Sequence, residues 1–372
     1  MARIVWITEQ FGRGGGMAVS SRRLVNSLRD RAHSLNVLHL IRKRDADGNE
    51  GFVFEDLEGQ WTAINAHDDL ERLFFLKRRA MEGCVLVGFG GGIPGYLAAL
   101  WGKWLKTPSV VMFRGNDLDR ISHDPSRGWM VQFAAERADI VCAVARDMVA
   151  RIEGMTGRPA LFTPVGIIPE RWRAFPSDEE TARRLRAKFS PDGRPLIGIF
   201  GHLKYKKGLP IVVDVFQNYG MGSHARLLAV GELPGDMAAL IDTSYPPFLA
   251  VESFVDRESL VAYYLACDIV FIPSFYDGMP NVLLEAMVCK RVIVGSRAGG
   301  IPDVITDGQN GFLFDAGDSI GAADVLSRVL SFSPDALKNI GLNAFQTVST
   351  QFTASHEADI LESAILGLQK GT

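Results

Sequence analysis

Short β-branched runs alternate with stretches of helical period along almost all of this chain, and that alternation sets the kind of fold open to it. The strand-like runs in the first half are Ile4–Thr8, Leu35–Ile41, Cys84–Phe89, Ser109–Phe113, Ile140–Ala143 and Leu161–Pro164. After a polar gap at Phe175–Glu180 they resume with Leu196–Phe200, Arg226–Val230, Phe248–Val251, Ile269–Pro273, Val292–Gly295 and Phe312–Phe314. Helical segments lie between them, among them Ala18–Arg31, Leu70–Met81, Arg127–Arg137, Pro210–Tyr219, Leu260–Ala266 and Pro280–Cys289. Strands that alternate with helices form parallel sheets covered on both faces, so the class is α/β. Two such runs meet near residues 165–180, which predicts two doubly wound domains, 1–168 and 169–350. The remaining 351–372 carries an added amphipathic helix, Thr353–Leu368. No internal repeat is present, and Asp45–Gly51 reads as a hairpin turn outside the main pattern.

At 372 residues and 47% apolar, the chain is long enough for two cored domains and too apolar for disorder. A net charge of −3 lacks the basic footprint of a nucleic-acid protein. The charge is uneven: residues 1–165 hold 22 Lys and Arg against 19 Asp and Glu, and the rest hold 18 against 24. Cys84, Cys142, Cys267 and Cys289 stand singly in apolar runs, with no CxxC pair, which fits buried thiols and no metal site. The strand beginning at Ile4 leaves no room for a leader, so the expected location is cytoplasmic. The charge-free stretch Gly83–Gly102 holds seven glycines and Pro94, and reads as strand, loop and helix rather than a membrane span.

Ligands of doubly wound sheets bind beyond the carboxyl ends of the strands, so the chemistry is sought in the turns that follow them. Gly201-His202-Leu-Lys204-Tyr-Lys206-Lys207-Gly208 brings lysines to a helix start, a phosphate site by charge and by its unpaired amides. Its alternative is a solvated basic turn. Asp277-Gly278-Met279-Pro280-Asn281 leads into a second helix, and Glu285 falls one turn later on the face of Asn281. Two carboxylates flanking a helix start can hold two parts of one polar ligand; the alternative is an N-cap aspartate and a surface glutamate. Gly299-Gly300-Ile-Pro302-Asp303 repeats the pattern. In the first half the matching turns are Gly12-Arg-Gly14-Gly15-Gly16 and Arg114-Gly115-Asn116-Asp117, with His123 on a ligand-side loop.

Other motifs fail. Met17 and Ile93 stand where a GxGxxG fingerprint needs glycine, and no GxxxxGK[ST] occurs. Asp45-Ala-Asp47 reads as a hairpin tip, and Glu50 stands where an EF-hand needs glycine. No Ser/His/Asp set follows from spacing.

The run Phe271-Ile-Pro-Ser-Phe-Tyr-Asp277-Gly-Met-Pro-Asn-Val-Leu-Leu-Glu285-Ala-Met resembles the E-x7-E signature of family 4 of the retaining nucleotide-sugar glycosyltransferases. Gly299–Asp303, Asp307–Gly311, Val255–Asp268 and Leu228–Glu232 extend the resemblance, which covers nearly the whole chain. It implies the GT-B fold: two Rossmann-like domains facing across a cleft, the C-terminal helix packing back on the N-terminal one. It also implies a nucleotide-diphosphate sugar, UDP-sugar by default, bound by the second domain, and an acceptor bound by the first. Neither cofactor nor metal is implied. By that resemblance Lys207 grips the diphosphate, with His202 and Lys204 beside it. Glu285 accepts from ribose, Asp277 contacts the donor sugar, and the amides of Gly278, Met279, Pro280 and Asn281 hold sugar or phosphate. Gly15 and Gly16 approach the diphosphate, while Gly14, Asn116, Asp117 and His123 lie on the acceptor side.

Four positions depart from the family pattern: Asp277 for glutamate, His202 for arginine, Arg114 for histidine and Val165 for asparagine. Arginine cannot serve as a general base. That suits a front-face mechanism in which the leaving phosphate takes the acceptor proton, and it gives Arg114 an anionic acceptor group or the β-phosphate as partner. The alternative for Arg114 is an ion pair with Asp117 or Asp119. Competing functions are a sugar-nucleotide epimerase or inverting transferase on the same fold, or a catalytically silent nucleotide-sugar binder. Lys77-Arg78-Arg79 and Arg22-Arg23 could touch the inner face of an anionic membrane, against a solvated helix face as the alternative.

Overall fold

A computed structural model describes residues 1–11, 15–44, 50–55, 61–65, 68–232, 248–253 and 255–370. The chain divides into two units, Met1–Gly166 with Ala354–Thr372, and Ile167–Thr353.

Among the described residues the first unit is built on an eight-stranded sheet of order β4-β3-β2-β1-β5-β6-β7-β8. Its strands are β1 (Arg3–Thr8), β2 (Ser34–Arg44), β3 (Glu50–Glu55), β4 (Trp61–Asn65), β5 (Val85–Phe89), β6 (Ser109–Phe113), β7 (Ile140–Ala143) and β8 (Leu161–Phe162). Six of these are parallel, and β3 and β4 add antiparallel at one edge. The hairpin tip expected at Asp45–Asn49 lies outside the described residues, but the strands on either side of it pair antiparallel. Trp6 stands between Val37 and Val87 in the register and is fully buried. Its indole N–H donates to Ser21 Oγ at 2.9 Å, so the largest core side chain has no orphaned polar atom.

The second unit holds a six-stranded parallel sheet among the described residues, of order β11-β10-β9-β12-β13-β14. These are β9 (Leu196–Phe200), β10 (Arg226–Val230), β11 (Leu249–Glu252), β12 (Ile269–Ile272), β13 (Val292–Ser296) and β14 (Phe312–Phe314). The strand order reverses between β1 and β5 in one sheet and between β9 and β12 in the other. Helices that leave neighbouring strands toward opposite faces open a crevice at such a point, and the ligand site of a doubly wound sheet forms there.

The C-terminal helix Ala354–Lys370 belongs to the first unit, where Ala358, Leu361 and Ile365 enter the core beside Leu24 and Leu28 of the helix Gly16–Asp30. The stretch around Gly83–Gly102 becomes β5, a glycine turn and the helix Ile93–Leu105. Among the described residues no helix is long and apolar enough to cross a membrane.

One expectation is corrected. The polar gap Phe175–Glu180 opens the helix Pro176–Phe189, in which only Ala182 and Phe189 are buried. Proline starts that helix, and the Asp178 carboxylate accepts from the Phe175 N–H at 2.8 Å. A helix that buries two residues in fourteen has almost no apolar period to read.

Candidate active site

In the second unit three turns converge at the carboxyl ends of the adjacent strands β9, β12 and β13, and they are tied to one another through the backbone. The Phe275 N–H donates to the Lys206 carbonyl at 2.9 Å, and the Gly300 N–H to the Gly278 carbonyl at 2.5 Å. Gly208 has φ +78°, and a Cβ there would lie 1.7 Å from the Pro273 carbonyl oxygen. Gly299 has φ +50°, and its Cβ would meet the Asp277 carbonyl oxygen at 1.7 Å. Only glycine permits both the left-handed backbone and the close approach.

This frame sets the Lys207 ammonium on the Asp277 carboxylate, a half-buried ion pair. Burial pushes the Asp277 carboxyl up, but the charges of Lys207 and Lys206 outweigh it and hold the group below the usual carboxylate range. The helix Asn281–Val288 begins beside the pair, with Pro280 as its cap. Proline has no N–H, and the Gly278 N–H already donates to Asp277 Oδ1 at 3.0 Å. The amides expected over Gly278–Asn281 therefore narrow to Met279 and Asn281, followed by Val282, which the helix itself does not use.

Glu285, half-buried one turn on, accepts from the Tyr264 hydroxyl at 2.9 Å. Burial pushes the Tyr264 phenol well up, and Glu285 adds to the rise, so Tyr264 is a fixed donor that orients the carboxylate. His202 is exposed and its Nδ1 lies 2.7 Å from Glu232 Oε2; Lys204 is exposed nearby. Lys207, Asp277 and the helix start thus come together, with Glu285 on the same helix, while His202 and Lys204 are exposed on the turn that carries Lys207.

In the first unit Gly15, at φ +75°, caps the helix that begins at Gly16, and Gly14 lies outside the described residues. The turn after β6 differs from the expectation. The Arg114 side chain is 3% exposed, its Nη1 is 3.2 Å from Glu357 Oε1, and its guanidinium lies 4.7 Å above the Phe89 ring. Glu357 Oε2 accepts from Arg23 Nη2 at 2.5 Å and from the Gly166 N–H at 2.9 Å. The ion-pair partner of Arg114 is therefore neither Asp117 nor Asp119; Asp119 pairs with Arg151 at 2.8 Å. A guanidinium enclosed in this way holds structure and does not present itself to a ligand.

Asp117 is likewise committed. Its Oδ2 accepts from the Gly91 N–H at 2.7 Å and the Arg114 N–H at 2.9 Å, which joins the turns after β5 and β6. Burial raises its carboxyl above the ordinary value despite those bonds. Asn116 and His123 are exposed.

Glu357 and Tyr264 were given no role by sequence; Arg22 and Arg23, read there as a membrane contact, instead donate to the Phe11 carbonyl at 2.8 Å and pair with Glu357, respectively. Glu357 had a legible signal: it falls on the buried stripe Ala354, Ala358, Leu361 and Ile365, where a charge requires a partner. The four cysteines are buried, and burial pushes the Cys142 thiol to about 11 and those of Cys267 and Cys289 to about 12. Among the described residues no group of three or more His, Cys, Asp or Glu is gathered to hold a metal ion.

The family model described as Glycosyl transferases group 1 matches residues 194–331. Over 248 residues the chain is 29% identical to the N-acetyl-alpha-D-glucosaminyl L-malate synthase of Bacillus anthracis, an alignment covering 65% of this chain and 63% of that protein. The chain spans less than two thirds of the length of such curated relatives. Among solved structures, sucrose-phosphate synthase from Thermosynechococcus elongatus superposes with a TM-score of 0.77 at 18% identity, covering 100% of both chains. HepE from Anabaena, solved in complex with UDP, superposes with a TM-score of 0.75 at 16% identity, covering 99% of this chain and 100% of that one. At these identities the likeness speaks to architecture. The chain carries a group 1 glycosyl transferase domain in its second unit and has the GT-B fold.

Proposed function

We propose that the chain is a retaining glycosyltransferase that moves a sugar from UDP to an acceptor hydroxyl. The observation that carries this reading is the Lys207–Asp277 pair beside the start of the helix Asn281–Val288, at the point where the second sheet reverses its strand order. A diphosphate there meets an ammonium and the positive end of a helix dipole together. When donor binds, Lys207 turns from Asp277 to the leaving phosphate, and Asp277 accepts from a sugar hydroxyl. Glu285, oriented by Tyr264, accepts from the ribose. His202 and Lys204, exposed on the turn that carries Lys207, border the diphosphate; Asn116 and His123, exposed in the first unit, are the side chains assigned to the acceptor. UDP is the nucleotide the family resemblance gives by default, and HepE, a neighbour in fold, was solved with it.

The acceptor oxygen bonds to the anomeric carbon on the face from which the phosphate leaves. The bond from that carbon to the β-phosphate oxygen breaks, its electrons stay with the phosphate, and the hydroxyl proton passes to a phosphate oxygen. The step needs no protein base, in keeping with an arginine at 114 whose guanidinium is enclosed. The protein's work is to orient the reactants and stabilise charge on the leaving group.

The test is a thermal-shift screen of UDP, GDP and ADP, followed by transfer from the matching sugar nucleotide with the product anomer read by NMR. A site-specific diphosphate at about 100 times Kd adds roughly 2.7 kcal/mol. A product with the donor's anomeric configuration, formed equally well with EDTA present, is expected. An inverted product, or no response to any diphosphate, would overturn the reading.

A further inference from the structure

The helix Asp68–Met81 is apolar on two sides. Leu73, Phe74 and Met81 point into the first unit, while Phe75 and Leu76 stand 62% and 61% exposed on the outer side. Trp104, near the end of the neighbouring helix Ile93–Leu105, is 49% exposed, and its ring lies 4.8 Å from that of Phe74, itself 5.6 Å from Phe75. Phe75 and Trp104 therefore belong to one aromatic cluster joined through Phe74, with the exposed Leu76 next to Phe75 in the chain. Among the described residues around them, Arg78, Arg79 and Lys106 are exposed and basic, Lys103 pairs with Asp139 at 3.4 Å, and Glu82 is an exposed acid.

We propose that this face of the first unit docks on an anionic lipid bilayer, with Phe75, Leu76 and Trp104 entering the headgroup boundary and Arg78, Arg79 and Lys106 meeting lipid phosphates. Large apolar and aromatic side chains ringed by long cationic ones suit a surface that is apolar below and negative above. Reversible membrane attachment needs an apolar and an electrostatic contribution together, and this face supplies both. The proposal does not depend on the transferase reading, since vesicle binding needs neither donor nor turnover.

The whole chain is co-sedimented at low salt with phosphatidylcholine vesicles and with vesicles half phosphatidylglycerol. Binding to the anionic vesicles only, weakened by salt, is expected. Each basic residue near such a surface contributes about fivefold, the equivalent of about 1 kcal/mol, so R78Q/R79Q should lower the partition about 25-fold. F75S/L76S should abolish sedimentation while its melting temperature, and its response to UDP in the screen above, match the parent. Anionic vesicles that fail to carry the parent down, or that carry F75S/L76S down equally well, would overturn the proposal. A parent that runs as a dimer without lipid, and an F75S/L76S variant that runs as a monomer, would assign the face to a second copy of the chain instead.

Discussion

Replacing Glu357 by glutamine puts the buried charge cluster of the first unit to a quantitative test. The carboxylate has no exposed side-chain surface, and its partners Arg114 and Arg23 are 3% and 11% exposed. Glutamine keeps the shape and one acceptor oxygen, but leaves two enclosed guanidinium groups without their shared anion. Breaking a buried pair from one side costs about 3–5 kcal/mol, because the remaining charge is neither hydrated nor compensated. In a unit of this size each kcal/mol lowers Tm by about 2–4 °C, so Glu357→Gln should lower the first unit's transition by about 6–20 °C. The assay is thermal unfolding by circular dichroism, with urea titration as a check. Glu180→Gln is the matched control: its pair with Arg183 is 51% and 72% exposed, and the loss should stay within about 1 kcal/mol. Combining E357L with R114M and R23M removes the whole cluster and should recover most of the lost stability. A Glu357→Gln variant that melts within about 2 °C of the parent would refute the reasoning, since the arginines would then be satisfied elsewhere.

Further outcomes follow from the second unit. Lys207→Ala should lower kcat about 10²–10³-fold, the usual cost of losing a donor aimed at developing charge, and near-normal turnover would remove Lys207 from the chemistry. Gly193 and Gly208 share a backbone conformation, at φ +76° and +78°, but only Gly208 has a neighbour that its Cβ would strike. Gly193→Ala should cost about 1–2 kcal/mol and Gly208→Ala more than about 4, so equal losses in urea titration would count against the packed frame. The folded Asp277 carboxyl sits below its ordinary value, so its ionised form adds stability above the unfolded value near about 3.9, and that share is lost as pH falls through the lower folded value. Asp277→Asn should therefore flatten the decline of Tm below about pH 4; an unchanged acid limb would contradict the pairing with Lys207.

The architecture was legible because its central strands are buried along their whole length and keep an unbroken apolar run, as β6 does over Val110–Phe113. The turns after β9, β12 and β13 were legible because their glycines stand where a strand hands over to a helix. The edge strands β3 and β4 were not read, and the start of the helix Pro176–Phe189 reads as the gap Phe175–Glu180 because its charged residues mask its period. Within each unit, sequence separates what space joins: Arg114 and Glu357 are 243 positions apart, and Tyr264 is 21 from Glu285. Asp117 was placed on the ligand side by position, but a carboxylate enclosed by two backbone amides differs from an exposed one only in burial, which spacing does not reveal.

Because main-chain bonds and glycine contacts fasten the three turns of the second unit, their shape owes little to the identity of the side chains they display. Tyr205 and Tyr276, 60% and 39% exposed, pack on Phe275 and beneath the Lys206 ammonium at the surface of that frame, and Lys204 is exposed beside them. Exchanging them retunes what the loops recognise and leaves the frame standing, whereas any side chain at Gly208 or Gly299 pries it apart. A designer altering these loops would therefore vary the three outward positions as a combinatorial set and keep both glycines fixed.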